Sequence, residues 1–330
     1  MAEIEIKRFE KENEKRWDDF VLHQSFNGTF LQSRAFLNYH GDRFCDHSLV
    51  FWKAGNIVAV IPAAEIEENG RKLLLSHCGS TFGGLVFPKN YNTIGEIKTF
   101  LSLLDEYLRA NGFAEVVLKQ TADIFCHDRN DLLFYLLGQF GYAHYDELSF
   151  ALEFPKDASF DVVMNFSGKT RNLYKKSLQG GIEFKEFSSD ADLAVFHQIL
   201  TKSLARHDAK PVHSLEELMD LSRNRLPEGV RFYGAFSEGR MIAGSMIFLL
   251  GDVFHTQYLC ADYDYLDLKP MDFLDGNLIQ LAYKEGYRAF SFGISTEDHG
   301  KILNETLAKY KYGFGTNYYT NVTFYKELAK

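Results

Sequence analysis

One ordered set of local patterns occurs twice in this chain, and the repetition limits the fold more than any single motif. Phe51-Trp52-Lys53-Ala54-Gly55-Asn56-Ile57-Val58-Ala59 reads as strand, tight glycine turn, strand, and Ala235-Phe236-Ser237-Glu238-Gly239-Arg240-Met241-Ile242-Ala243 reads the same way. A helix, a Gly-aromatic pair and a strand follow in each half: Leu104 to Val117 around Gly112-Phe113, and Leu278 to Phe292 around Gly286-Tyr287. Each half then has a helix stopped by aromatic-Gly-aromatic, Phe140-Gly141-Tyr142 and Tyr312-Gly313-Phe314. A glycine just past a helix takes the left-handed cap without steric cost, and the aromatic after it packs back. Three matches in one order point to a duplicated domain, with lobes expected at 1–155 and 156–330.

Composition agrees with that division. A chain of 330 residues holds about two domains, and 46% hydrophobic with 15% aromatic residues supplies a core for each. The longest apolar run, Met241 to Leu250, is too short to span a bilayer, so no membrane span is expected. The charged start, M-A-E-I-E-I-K-R-F-E, lacks an apolar signal core. The four cysteines, Cys45, Cys78, Cys126 and Cys260, form no C-x-x-C pair, so a reduced cytoplasmic protein is expected. A net charge of −9 disfavours a broad nucleic-acid surface, which needs clustered cations, but leaves room for a local anion site.

The expected class is α/β with a mixed sheet and antiparallel hairpins. In the first lobe the periodicity predicts helices over 11–23, 94–111 and 130–140, and strands over 56–66 and 142–154. In the second it predicts helices over 168–179, 270–285 and 299–311, and strands over 252–260, 288–293 and 317–326.

Four places could carry chemistry. Gly168 to Lys176 is the densest basic patch, and Arg171 and Lys175 share a helix face beside Tyr174. It is either a set of cations matching a helix C-terminus or a clamp for phosphate or carboxylate, with Arg171 as the planar fork. In strand 252–260, alternation sets His255 and Gln257 on one face, and Thr256, Tyr258 and Cys260 on the other. These polar groups are either satisfied core residues or the lining of a substrate groove. The turn Ser295-Thr296-Glu297-Asp298-His299-Gly300 is explained equally by helix capping and by acid-base chemistry, with Glu297 at a strand's end. Gly79 to Gly84 reads as a tight turn or an anion cradle. The polar loop His40 to His47 has no standard zinc spacing, and Asp262, Asp264 and Asp267 lack the glycine and glutamate of a calcium loop, so no metal is expected.

Taken in order, these segments resemble the FemAB-like branch of the GNAT superfamily of acyl-CoA N-acyltransferases, in tandem lobes. Thr29-Phe30-Leu31-Gln32-Ser33-Arg34 is similar to that branch's entry segment. Lys169-Thr170-Arg171 through Lys175-Lys176 and Gly181-Ile182 resemble its basic segment. Phe292-Gly293, Asn304, Leu307, Tyr310-Lys311 and Gly313-Phe314-Gly315 resemble its C-terminal signature.

The resemblance implies transfer of an acyl or aminoacyl group to an amine of a small molecule or cell-envelope precursor. The donor would be acyl-CoA, with aminoacyl-tRNA second. Tyr310-Lys311 would stabilise the tetrahedral oxyanion, with Glu297 and His255 as further catalytic candidates. Arg171, Tyr174, Lys175, Gln257, Tyr258, Asn304 and Arg34 would bind substrate. Two departures stand out. The usual helix-start glycines for the coenzyme A pyrophosphate are replaced by Ala261 to Asp272, with Pro270, Asp267 and Asp272 at the turn. The usual tyrosine position holds Lys309, and Tyr310 lies about 100° further round the helix. The competing expectation is a non-catalytic ligand-binding protein on the same fold.

Overall fold

The computed structural model describes residues 3–157, 159–206 and 208–328. The chain forms two compact units. One runs up to Glu147 and takes in the chain again from Thr320; the other is Leu148–Tyr319. The expected lobes of 1–155 and 156–330 differ from these at both ends, because the divisions fall inside two long strands, β8 (Ala143–Glu153) and β16 (Asn317–Glu327).

In the first unit, β1 (Ile4–Arg8), α1 (Glu14–Asp19), α2 (Arg34–Leu37), β2 (Cys45–Asp46), β3 (Leu49–Lys53), β4 (Asn56–Ile61), β5 (Ala64–Glu68), β6 (Arg71–Ser76), α3 (Ile94–Ala110), β7 (Glu115–Lys119) and α4 (Asp131–Gln139) precede β8. The segment expected as one strand over 56–66 is two strands in two sheets, β1-β3-β4 and β2-β5-β6-β7-β16. Pro62 stands at the break, where a missing N–H ends a ladder. The helix expected over 11–23 is divided into a 3₁₀ turn at Lys11–Asn13, α1, and a π turn at Phe20–Gln24. α3 lays Ile97, Phe100, Leu101, Leu104 and Leu108 into the core, an i, i+3, i+4, i+7 stripe. Val322, Phe324 and Leu328 complete the same core.

In the second unit come α5 (Val162–Asn165), α6 (Gly168–Ser177), β9 (Glu183–Glu186), α7 (Asp190–Ala205), α8 (Leu215–Asp220), β10 (Val230–Ser237), β11 (Arg240–Leu250), β12 (Val253–Ala261), α9 (Pro270–Lys284), β13 (Ala289–Ile294), β14 (Thr296–Glu297), β15 (Ile302–Leu303) and α10 (Glu305–Tyr312). The strand order is β8-β13-β12-β11-β10-β9. Helices cover both faces. Leu274, Leu278, Ile279 and Ala282 of α9 join Phe254 and Phe290 in one core. On the other face Phe196 of α7 lies so close to Gly244 that a Cβ there would sit 2.6 Å from its ring.

The two hairpins of the repeat match in detail. Both turn through two residues with positive φ, Ala54-Gly55 and Glu238-Gly239. Both then carry a bulge at the same step, between Phe51 and Trp52 and between Ala235 and Phe236. The helix expected over 299–311 starts later. Asp298, His299 and Gly300 all have positive φ at the tip of the β14–β15 hairpin, and α10 begins only after its cap, Asn304. Gly141 has the left-handed φ of 80° expected after α4, whereas Gly313 is helical and the left-handed residue is Gly315. Gly313 is needed for a different reason: a Cβ would stand 2.2 Å from Thr170 Oγ1. Among the described residues no helix is long and apolar enough to cross a membrane.

Candidate active site

The site lies where two parallel strands separate. β12 and β13 pair only at Val253↔Ala289, Phe254↔Phe290 and His255↔Ser291, although they run on to Ala261 and Ile294. Each strand bulges just past the last shared pair. Against β11, Met246 faces Tyr258 and Ile247 faces Thr256, so Gln257 is an extra residue. Against β8, Ser291 faces Ala151 and Gly293 faces Phe150, so Phe292 is extra, and Gly293 turns with a φ of 70°. Ligands of open α/β sheets bind beyond the carboxyl ends of such strands. The bulge also corrects the expected alternation. Tyr258, opposite Met246, lies on the same face as His255, opposite Phe248, while Gln257 occupies the bulge itself.

Lys311 fills the gap. Its side chain is 4% exposed, and Nζ donates to Gly293 O at 3.1 Å and Ile294 O at 2.5 Å. An ammonium has three donors, so these carbonyls leave one direction open. Burial lowers the Lys311 pKa to about 7, with Asp275 opposing. His255 is buried with Nδ1 3.1 Å from Ser291 Oγ. Burial first, then the Lys311 charge, lowers its pKa to about 4, so the imidazole is neutral at pH 7. Gly293 separates the two elements closely, since a Cβ there would lie 3.3 Å from His255 Cε1.

Tyr310, next along α10, donates its hydroxyl to Asp275 Oδ2 at 2.5 Å. Asp275 is fully buried, and its Oδ1 has no hydrogen-bond partner. Burial raises its pKa to about 7, although the Tyr310 hydrogen bond and Lys311 favour the carboxylate. Tyr310 is itself raised well above the usual phenol range, first by burial and then by Asp275 and Asp272.

The other candidates occupy varied places. Tyr174 is buried, and its hydroxyl accepts from Gln280 Nε2 at 2.7 Å. Its ring lies on Gly276, where a Cβ would meet it at 2.4 Å, so it locks α6 onto α9. Arg171 is half-buried with Nη1 3.3 Å from Met164 O, and Lys175 is exposed. The Tyr258 hydroxyl sits 2.7 Å from His213 Nδ1, and burial raises its pKa to about 12. Asn304 caps α10, its Oδ1 accepting from Leu307 N at 3.0 Å. Glu297 is exposed in β14. Arg34 lies in the first unit, buried, with its fork on Ser48 Oγ at 3.0 Å and Asp46, and its guanidinium 4.0 Å from the Phe9 ring centre.

The structure therefore brings Tyr310, Lys311 and His255 to one locus and leaves Glu297 on the surface hairpin. It adds Ser291 and Asp275, which sequence reasoning missed. The available signal for Asp275 was an acid inside the apolar run Phe273-Leu274-Asp275-Gly276-Asn277-Leu278, one turn from Asp272. Capping at Ser295 and Thr296 does not occur: both hydroxyls are buried without a hydrogen-bond partner.

The start of α9 does not fit a nucleotide pyrophosphate. Lys269 is left-handed with φ 58°, Pro270 supplies no N–H, and the buried Asp272 carboxyl stands in the first turn. Burial raises the Asp272 pKa, against Lys269 and Lys169.

The comparisons agree with this architecture. Residues 165–311 match the family model of the acetyltransferase (GNAT) domain. The crystal structure of FemX is similar over 98% of this chain and 97% of that one, with a TM-score of 0.73 and 12% identity. L-PGS from Bacillus licheniformis is similar over 94% and 90%, with a TM-score of 0.59 and 15% identity. A tandem GNAT protein from the clavulanic acid biosynthesis pathway is similar over 99% of both chains, with a TM-score of 0.57 and 10% identity. No curated protein matches the sequence. At these identities the solved structures speak for the fold. Residues 165–311 are thus similar to a GNAT acetyltransferase domain, and the chain as a whole shares the fold of FemX and of the tandem GNAT protein.

Proposed function

We propose that this chain is an N-acyltransferase that moves an acyl or aminoacyl group onto an amine of a small molecule or envelope precursor. The observation that carries the reading is Lys311, buried and held by two carbonyls at the point where β12 and β13 part. A carbonyl entering that gap, attacked by nitrogen, develops negative charge on oxygen. A fixed cation in a water-poor site stabilises that charge more than the neutral ground state. The neutral His255 beside it adds no competing charge. Arg171 and Lys175 would face an anionic part of the acceptor.

The donor is an acyl thioester or ester, with acyl-CoA ahead of aminoacyl-tRNA on the acidity of the chain. The start of α9 would give its nucleotide end little hold, given Pro270 and Asp272. A thermal-shift screen of acyl-CoAs tests whether the chain binds an acyl donor, since a native-state ligand must raise the melting temperature, and turnover of the donors that bind then separates an enzyme from a binding protein on the same fold.

Lys311→Met keeps the side chain's length and removes its charge. It is expected to keep the fold and lose about 100-fold or more in kcat, the size seen when an oxyanion donor is removed. Turnover within about twofold of wild type, on the same scale, would discard the reading. Because a lysine with a pKa of about 7 loses its charge as pH rises, kcat should fall above neutrality in the wild type.

A further inference from the structure

We propose that Asp275 is a positioning residue of the transfer site that acts through Tyr310: its carboxylate holds the phenol and receives the phenol's proton while Tyr310 takes one from the incoming amine. The proposal rests on the N-acyltransfer reading above, which uses Lys311 but leaves the amine's proton without a destination.

Geometry points to this pair. The Tyr310 hydroxyl and Asp275 Oδ2 are 2.5 Å apart, within the range of a strong O–H to carboxylate bond. Both ends are fixed. On α9, the Tyr174 ring over Gly276 and the Gln280 bridge to its hydroxyl set the helix position. On α10, Phe314 packs edge-on to Tyr310 at 5.3 Å, and Gly313 lies against Thr170. Asp275 has one oxygen engaged and one buried without a partner. Such a buried unmatched oxygen is costly, and a hydrogen bond to Tyr310 alone would be met by an asparagine. Tyr310 is partly exposed as a residue, with its hydroxyl buried against Asp275, whereas Asp275 is 0% exposed, so of the pair only Tyr310 has surface that a substrate can meet.

The proton inventory closes. An ammonium gives one proton to the Tyr310 oxygen as that oxygen's own proton passes to Asp275. The free amine attacks, the C–N bond forms, and the pair on the carbonyl shifts to oxygen beside Lys311. Collapse breaks the bond to the leaving sulfur or oxygen, which departs with the second nitrogen proton. Asp275 later returns its proton to solvent. The ionisable groups around Asp275 are Asp272 on its own helix and Tyr310 and Lys311 on α10. Tyr174 on α6 packs on the neighbouring Gly276, Lys269 and Lys169 act on Asp272, and His255 on β12 lies beyond Lys311.

Two amines separate a proton relay from a structural role. S-acetyl-N-acetylcysteamine serves as a donor without a nucleotide; the acceptors are a primary alkylamine, protonated at neutral pH, and hydroxylamine, largely unprotonated. Asp275→Asn is expected to lower kcat about 100-fold or more with the alkylamine, about fivefold or less with hydroxylamine, and to leave KM for the thioester unchanged. Asp275→Glu should recover part of the alkylamine rate. Equal losses with both amines would overturn the relay. Infrared spectra give a readout free of turnover. The wild type should show a protonated carboxyl band that fades as pH rises through neutrality, absent in Asp275→Asn and displaced in Tyr310→Phe. A band that Tyr310→Phe leaves in place would overturn the pairing even if Asp275→Asn fails to fold. If the wild type acetylates neither amine, the N-acyltransfer reading falls and takes the relay with it, while the infrared band still reports whether Asp275 and Tyr310 share a proton.

Discussion

Lys311 and Asp275 set opposite pH dependences on stability. The folded pKa of Asp275 is about 7, above the usual carboxylate value, so the folded state holds the proton more tightly. Its stabilising effect is full at low pH and is lost as pH rises through about 7. Asp275→Asn should therefore gain stability relative to wild type between about pH 4 and 7, with a slope of at most about 1.4 kcal/mol per pH unit. Lys311 is lowered to about 7, so above that pH the unfolded chain binds more protons and stability rises until the ordinary lysine value is passed. Lys311→Met should abolish that rise. Urea denaturation at stepped pH checks both, and the same slopes in the variants as in wild type would contradict the buried charges. His255 could be picked out of the sequence because a polar group in an otherwise apolar strand needs a partner, and Lys311 could be only through the family resemblance. Asp275 could not, because its meaning depends on Tyr310, 35 residues away.

At the scale of elements, the parting of β12 and β13 depends on single inserted residues. Deleting Gln257 would restore continuous alternation in β12, leave Tyr258 on the face of His255 and remove the bulge just past the last pair shared with β13. The expected result is a folded protein with no measurable transfer, checked by circular dichroism together with turnover. The start of α10 depends on Asn304, whose replacement by Ala should cost about 1 kcal/mol in stability. The expected helix start at 299 came from reading Ser295, Thr296 and Asp298 as caps. Three successive left-handed residues instead close a hairpin there, and local capping preference gave way to a turn that pairs Thr296 with Leu303 and Glu297 with Ile302. α9 makes a further test. With Pro270 and Asp272 at its start, acyl-CoA and the matching N-acetylcysteamine thioester should have kcat/KM values within about tenfold, or about 1.4 kcal/mol.

For the whole molecule, the consequential feature is the return of the chain from Thr320 onward to the first unit. There β16 pairs antiparallel with β7, Thr323 to Glu327 against Lys119 to Glu115, and Val322, Phe324 and Leu328 enter the core. Ending the chain at Tyr319 should expose that core and strip hydrogen-exchange protection from Glu115–Lys119, because a lost strand leaves both apolar surface and ladder groups unmatched. By itself the sequence determined the duplicated order of elements, the mixed α/β class and the two matching hairpins, because turn glycines and apolar periodicity act over a few residues; it offered His255 only as a polar group in an apolar strand, and Tyr310 and Lys311 only through a family resemblance. Only the tertiary structure decided which unit the last strand joins, that β12 and β13 separate after His255, and that Asp275 meets Tyr310. Those outcomes are choices among distant partners, made by which packing buries the most surface with every ladder and charge accounted for, and no short window of the chain contains both sides of that choice.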